Sequence, residues 1–101
     1  QRLIMSAGMM AEMVARCKKN LRISHELLDS EIQMAIKAAC QAMQRAGVSE
    51  AYIKDPDPVT QEAIIAYVMY RHADGDNDGY FASWQYQTDC IRRHREAGNA
   101  E

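Results

Sequence analysis

The chain is poor in the residues that build β-sheets. Among its 101 residues are one Phe, one Trp, four Val and two Thr, against fifteen Ala and seven Met. Ala and Met favour helices, whereas pleated surfaces favour β-branched and aromatic side chains, so this composition argues against an all-β fold. An excess of positive charge is also missing. The formal net charge is -2 and the pI is about 5.9, which excludes a strongly basic nucleic-acid binder but leaves room for local basic patches. Long hydrophobic runs are absent too. The longest, Ala63 to Tyr70, is far too short for a bilayer. The stretch from Leu3 to Val14 is interrupted by Ser6, Gly8 and Glu12 and is followed by no cleavage pattern, so a secretory signal is not expected.

Cysteines are few and unpaired in pattern. Cys17, Cys40 and Cys90 are odd in number, widely spaced and form no C-x-x-C pair. They read as reduced thiols in a reducing compartment. Nothing around them resembles a nucleophile site served by His25, His72 or His94. At 11.5 kDa the chain has room for one domain. The area scaling gives roughly 5,800 Å² folded against roughly 16,700 Å² unfolded, so about 65% of the surface can be buried without help from disulfides or metal.

What is present is helical periodicity. Residues 1–9 show no clear pattern and are expected as an N-terminal tail, with Met9 or Met10 a candidate initiator. A first helix is expected from Ser6 or Met9 to Asn20, its apolar face made by Met10, Met13, Val14, Cys17 and Leu21. Arg16, Lys18 and Lys19 load its last turn, where cations suit the helix dipole. With Arg22 they also form a possible anion or nucleic-acid contact. Leu21-Arg22-Ile23 reads as a short extended connection.

A second helix is expected over about Glu26 to Ala46, capped by Ser24 or Asp29, with Leu28, Ile32, Ala35, Ile36, Ala39, Met43 and Ala46 on one stripe. Gly47 followed by Val48 fits its stop. Residues 48–57 read as a loop in which Tyr52 and Ile53 tuck inward. Asp57 as cap and Pro58 at the first helical position open a third helix running to about Ala73. From Ala63 to Tyr70 it is apolar nearly all round, more than a four-helix domain is expected to cover. That surplus points to self-association through Ile64, Ile65, Val68 and Met69. A last helix is expected from Tyr80 to about Ala97, with Gly98 able to end it and residues 98–101 expected as a flexible end. The resulting class is all-α, a single domain of about four helices over residues 10–97.

The sharpest chemical motif is Asp74-Gly75-Asp76-Asn77-Asp78-Gly79. It matches the start of an EF-hand calcium loop, in which oxygens at the first, third and fifth positions converge and the glycine makes a sharp turn. The twelfth position should be a bidentate Glu and is Gln85. Without it, no calcium site is expected, and Asp74, Asp76 and Asp78 read as an acidic, solvated turn. The histidines have no metal-ligand spacing, and no phosphate loop or catalytic constellation is present, so neither enzyme activity nor a cofactor is expected. Arg92-Arg93-His94-Arg95 crowd the end of the last helix. They are either dipole-matched charge or a grip for phosphate or an acidic protein surface.

Taken in order, these elements resemble the small head–tail connector, or adaptor, proteins of long-tailed bacteriophages and prophages. The resemblance runs from about Val14 to Ile91. It rests on a short first helix leading into Leu21-Arg22-Ile23 and an acidic approach at Glu26 to Glu31 before a long helix. A Pro-led helix with Ala63-Ile64 and Tyr67 follows, then a polar turn and a last helix with Tyr80, Trp84 and Ile91. It implies a non-enzymatic subunit without cofactor, in a closed ring of about twelve copies below the portal. Such a ring extends the DNA channel without specific DNA binding and meets the next connector or tail protein. The implied location is the virion head–tail junction, and the host cytoplasm during assembly, with no membrane. Arg92, Arg93 and Arg95 are then candidates for the portal contact. Two alternatives come from other classes: a small EF-hand-like calcium module, and a helical DNA-binding or regulatory protein using the basic clusters.

Overall fold

The computed structural model describes residues 5–73 and 77–100, the last seven of them as backbone only. Among the described residues are five helices and no strand: α1 (Ala7–Leu21), α2 (Asp29–Arg45), α3 (Glu50–Lys54), α4 (Pro58–His72) and α5 (Asp78–Ala100). The all-α expectation holds, with one helix more than the periodicity indicated. The extra element, α3, lies inside the stretch expected as a loop. Ser49 caps it by accepting from the Ala51 N–H at 3.1 Å, and Ile53 is fully buried. Five residues are too few for a repeating apolar pattern to show.

Local signals set most ends. Ser6 Oγ accepts from the Met9 N–H at 3.1 Å and starts α1. Met5 is buried in the core, so the domain begins earlier than the tail expected over residues 1–9. Leu21-Arg22-Ile23 is not extended. Arg22 adopts the left-handed conformation (φ 61), and the Ile23 N–H reaches back to the Lys18 carbonyl at 2.9 Å. The same closure ends α2, where Gly47 has φ 107 and the Val48 N–H donates to the Met43 carbonyl at 2.9 Å. Asp57 Oδ1 accepts from the Thr60 N–H at 2.8 Å, and Pro58 is the first residue of α4, both as expected.

The start of α2 moves from Glu26 to Asp29 because a turn occupies residues 25–28, where the Leu27 N–H donates to His25 Nδ1. At the other end of the chain, α5 passes through Gly98 to Ala100. A glycine inside a helix costs only about 1 kcal/mol relative to alanine, so by itself it does not stop one.

α4 is the central helix and packs against α1, α2 and α5. This overturns the expectation of an apolar surplus. Ile64, Ile65, Val68 and Met69 are all buried within the single chain, Ile65 being the most accessible at 9%. Three helices surround α4, and Ala63 and Ala66 let their backbones come close. α5 closes one side of α4 through aromatic contacts. Tyr67 meets Trp84 edge-on at 5.3 Å, Tyr70 lies 4.8 Å from Phe81, and Phe81 stacks on Trp84 at 5.6 Å.

Candidate functional site

The polar half of α5 begins at Asp89, one turn before the arginines. Both Arg92 and Arg93 pair with this carboxylate, Arg93 at 2.5 Å. Their environments differ. Arg93 has 70% of its side chain exposed, whereas Arg92 is half-buried against the turn at Gly47. Arg92 is therefore partly a structural residue, a distinction that a run of basic residues on a last turn does not reveal. The side chain of Arg95 lies outside the described residues.

Beside Arg92 is an open groove of about 500 Å³ between α5 and the end of α2, lined by Ala46, Trp84, Gln85, Tyr86, Thr88, Asp89 and Arg92. Two groups in its wall, Trp84 Nε1 and Thr88 Oγ1, are buried without a hydrogen-bond partner. Gln85 is exposed there.

The acidic turn departs from calcium-loop geometry in its second half. Asp74 and Asp76 lie outside the described residues. Asp78 is the first residue of α5, where a carboxylate suits the helix dipole. Gly79 is helical and has no positive φ, so the sharp turn expected of it does not form. Asn77 turns back instead. Its Nδ2 donates to the carbonyls of Tyr70 at 3.1 Å and Ala73 at 2.6 Å. Its own carbonyl receives the Tyr80 and Phe81 N–H groups. Asn77 thus joins the end of α4 to the start of α5. Among the described residues no group of three or more His, Cys, Asp or Glu is placed to hold a metal ion.

The basic cluster on α1 is divided. Lys18 Nζ pairs with Asp29 Oδ1 at 2.9 Å, and Arg16 donates to Gln61 Oε1. These contacts tie α1 to α2 and α4. Lys19 and Arg22 are exposed.

The three cysteines are free thiols. Burial pushes Cys17 up to about 12, partly offset by the Arg16 charge, and Cys40 up to about 11. Such thiols are poor nucleophiles. Cys90 is half-buried and lines a second groove of about 300 Å³ with Tyr52, Asp57, Val59 and Ile91.

Sequence periodicity missed the exposed apolar side chains. Leu27, Met34, Val59 and Tyr86 all face solvent. A signal was present for Met34, which shares a stripe of α2 with Glu31, Lys37 and Gln41 rather than with Ile32 and Ile36. Comparison with protein-family models, with curated proteins and with solved structures found no match. Among the described residues no helix is long and apolar enough to cross a membrane.

Proposed function

We propose that this chain is a head–tail connector subunit of a long-tailed phage or prophage, a structural protein that docks below the portal and extends the DNA channel. The order of elements carries the reading. A short α1 turns at Leu21-Arg22-Ile23 into a long α2, Pro58 opens a central α4, and an aromatic-led α5 follows a polar turn. The mildly acidic net charge suits a conduit that must let DNA pass. The run Arg92-Arg93-His94-Arg95, with Arg93 exposed, supplies a cationic patch for an acidic portal surface.

Co-sedimentation with the portal ring of the same genome tests this. The full chain should pellet with the portal at low salt and detach as salt rises, because exposed ion pairs are screened. Arg93→Glu should keep its helical circular dichroism and lose docking. Arg93 is the position chosen because it is exposed, whereas Arg92 belongs to the packed fold. Failure of the full chain to pellet at low salt, or a gene placed outside a capsid-to-tail cluster, would sink the proposal. A calcium-dependent or DNA-dependent shift in its place would favour the EF-hand-like or DNA-binding alternative.

A further inference from the structure

Trp84, Thr88 and Arg92 recur at every fourth position of α5 and so share one face of that helix. All three line the open groove of about 500 Å³ beside the end of α2. Two of them are almost wholly enclosed, Trp84 at 8% and Thr88 at 3% exposed, yet Trp84 Nε1 and Thr88 Oγ1 have no hydrogen-bond partner. Packing alone does not account for them, because buried polar groups are normally paired and are costly when they are not.

Their chemistry narrows what would pair with them. The indole N–H can only donate, and the hydroxyl can donate or accept. One turn apart on one face, they suit a single group that offers two acceptor oxygens. The charge beside them sets its valence. Arg92 and Arg93 both pair with Asp89, so two arginines less one carboxylate leave one positive charge among the described side chains there. A carboxylate brings two oxygens and one negative charge. A phosphate dianion would bring a second charge against Asp89.

We propose that this groove is a binding site for a small monocarboxylate. One oxygen accepts from the Trp84 indole N–H and the other from the Thr88 hydroxyl, beside the Arg92 guanidinium. The hydrocarbon part lies against Ala46 and the ring of Tyr86, which is 72% exposed. Neither polar atom has exposed surface in this structure, so outer side chains of the groove turn aside as the ligand enters. Gln85 and Tyr86 are exposed, and they are the side chains that move. The site does not depend on the connector reading.

Trp84 is the only tryptophan in the chain, so its indole N–H gives one nuclear magnetic resonance signal that reports on the site. Sodium butyrate, titrated into the isotope-labelled full chain at fixed ionic strength, should move that signal downfield and saturate in the millimolar range. Butyramide, a neutral analogue of the same shape, and inorganic phosphate should leave it in place.

Two variants complete the test. Thr88→Val should weaken butyrate binding about tenfold, through loss of one hydrogen bond to a charged group, while its urea midpoint stays level or rises because the unpaired hydroxyl is gone. Gln85→Glu, at an exposed position in the groove, should weaken butyrate by repulsion and keep its helical circular dichroism. A butyrate shift that never saturates, an equal shift with phosphate or butyramide, or unchanged affinity in either variant would overturn the proposal. So would a large loss of stability in Thr88→Val, since the hydroxyl would then have a partner within the fold.

Discussion

Arg92 lies across Gly47 so closely that a Cβ at position 47 would stand 2.7 Å from its Cδ and 3.4 Å from its Cγ. The contact locks α5 onto the turn that ends α2. Gly47 also has φ 107, a conformation that L side chains rarely adopt. Gly47→Ala should therefore destabilise the chain by about 2 kcal/mol, mostly through the backbone. Adding Arg92→Ala should recover only the steric part, because the φ penalty stays. Urea denaturation of both variants measures this. A Gly47→Ala chain as stable as the parent would remove both demands.

Arg22 presents the opposite case. It closes α1 in the left-handed conformation with a side chain that disfavours it. Arg22→Gly should stabilise by about 1 kcal/mol, seen as a higher urea midpoint with an unchanged slope. A lower midpoint would mean that the arginine side chain contributes more than its backbone costs.

Gly79 separates a helical turn from a calcium-type loop. It sits in the first turn of α5 with open space where a Cβ would go. Gly79→Ala should stabilise by about 0.5–1 kcal/mol, since alanine is the better helix former. A glycine at the turn of a calcium loop would not tolerate the change. Calorimetry with calcium should show no binding in either protein, and a micromolar signal abolished by Asp78→Ala would contradict the helical assignment.

The start of α4 should show two effects of opposite sign. Asp57 caps the helix through the Thr60 N–H, and its replacement by alanine should cost about 1 kcal/mol. The Thr60 hydroxyl is fully buried and has no hydrogen-bond partner. Thr60→Val keeps the shape and removes the unpaired oxygen, so it should be neutral or stabilising by about 1 kcal/mol. Thermal unfolding of the two variants reads both, and a large loss in Thr60→Val would reveal a partner for the hydroxyl.

The buried thiols predict alkaline sensitivity. Unfolded cysteines ionise near 9.0, whereas burial holds Cys40 neutral to about 11 and Cys17 to about 12. Above pH 9 the unfolded chain releases protons that the folded chain keeps, so their contribution to stability falls as pH rises toward 11 and 12. Below pH 9 it is fully present. The melting temperature should drop on going from about pH 8 to pH 10, and less steeply in Cys40→Ala. A thiol reagent should label Cys90 rapidly and the other two only in denaturant; fast labelling of all three would contradict the burial.

Signals read over a few consecutive residues survived into the structure. The Gly47-Val48 stop, the Asp57-Pro58 start and the apolar stripes of α1 and α2 act through neighbours along the chain, so the sequence displays them. The Ser49 cap was equally local, but α3 is too short to have a period. Arg22 escaped because left-handed closure normally announces itself with glycine.

Sequence alone determined the helical class, through its abundance of Ala and Met and its few β-branched residues, and it placed the cap that starts α4. Tertiary structure decided which surfaces are free. The sequence shows that α4 is apolar all round, but only packing shows that α1, α2 and α5 cover Ile64, Ile65, Val68 and Met69. Likewise Arg92 and Arg93 are neighbours of one type, yet one is held over Gly47 and the other faces solvent. The physical reason is the same in both cases. Hydrophobicity and charge belong to a residue, whereas exposure depends on what distant segments bring against it.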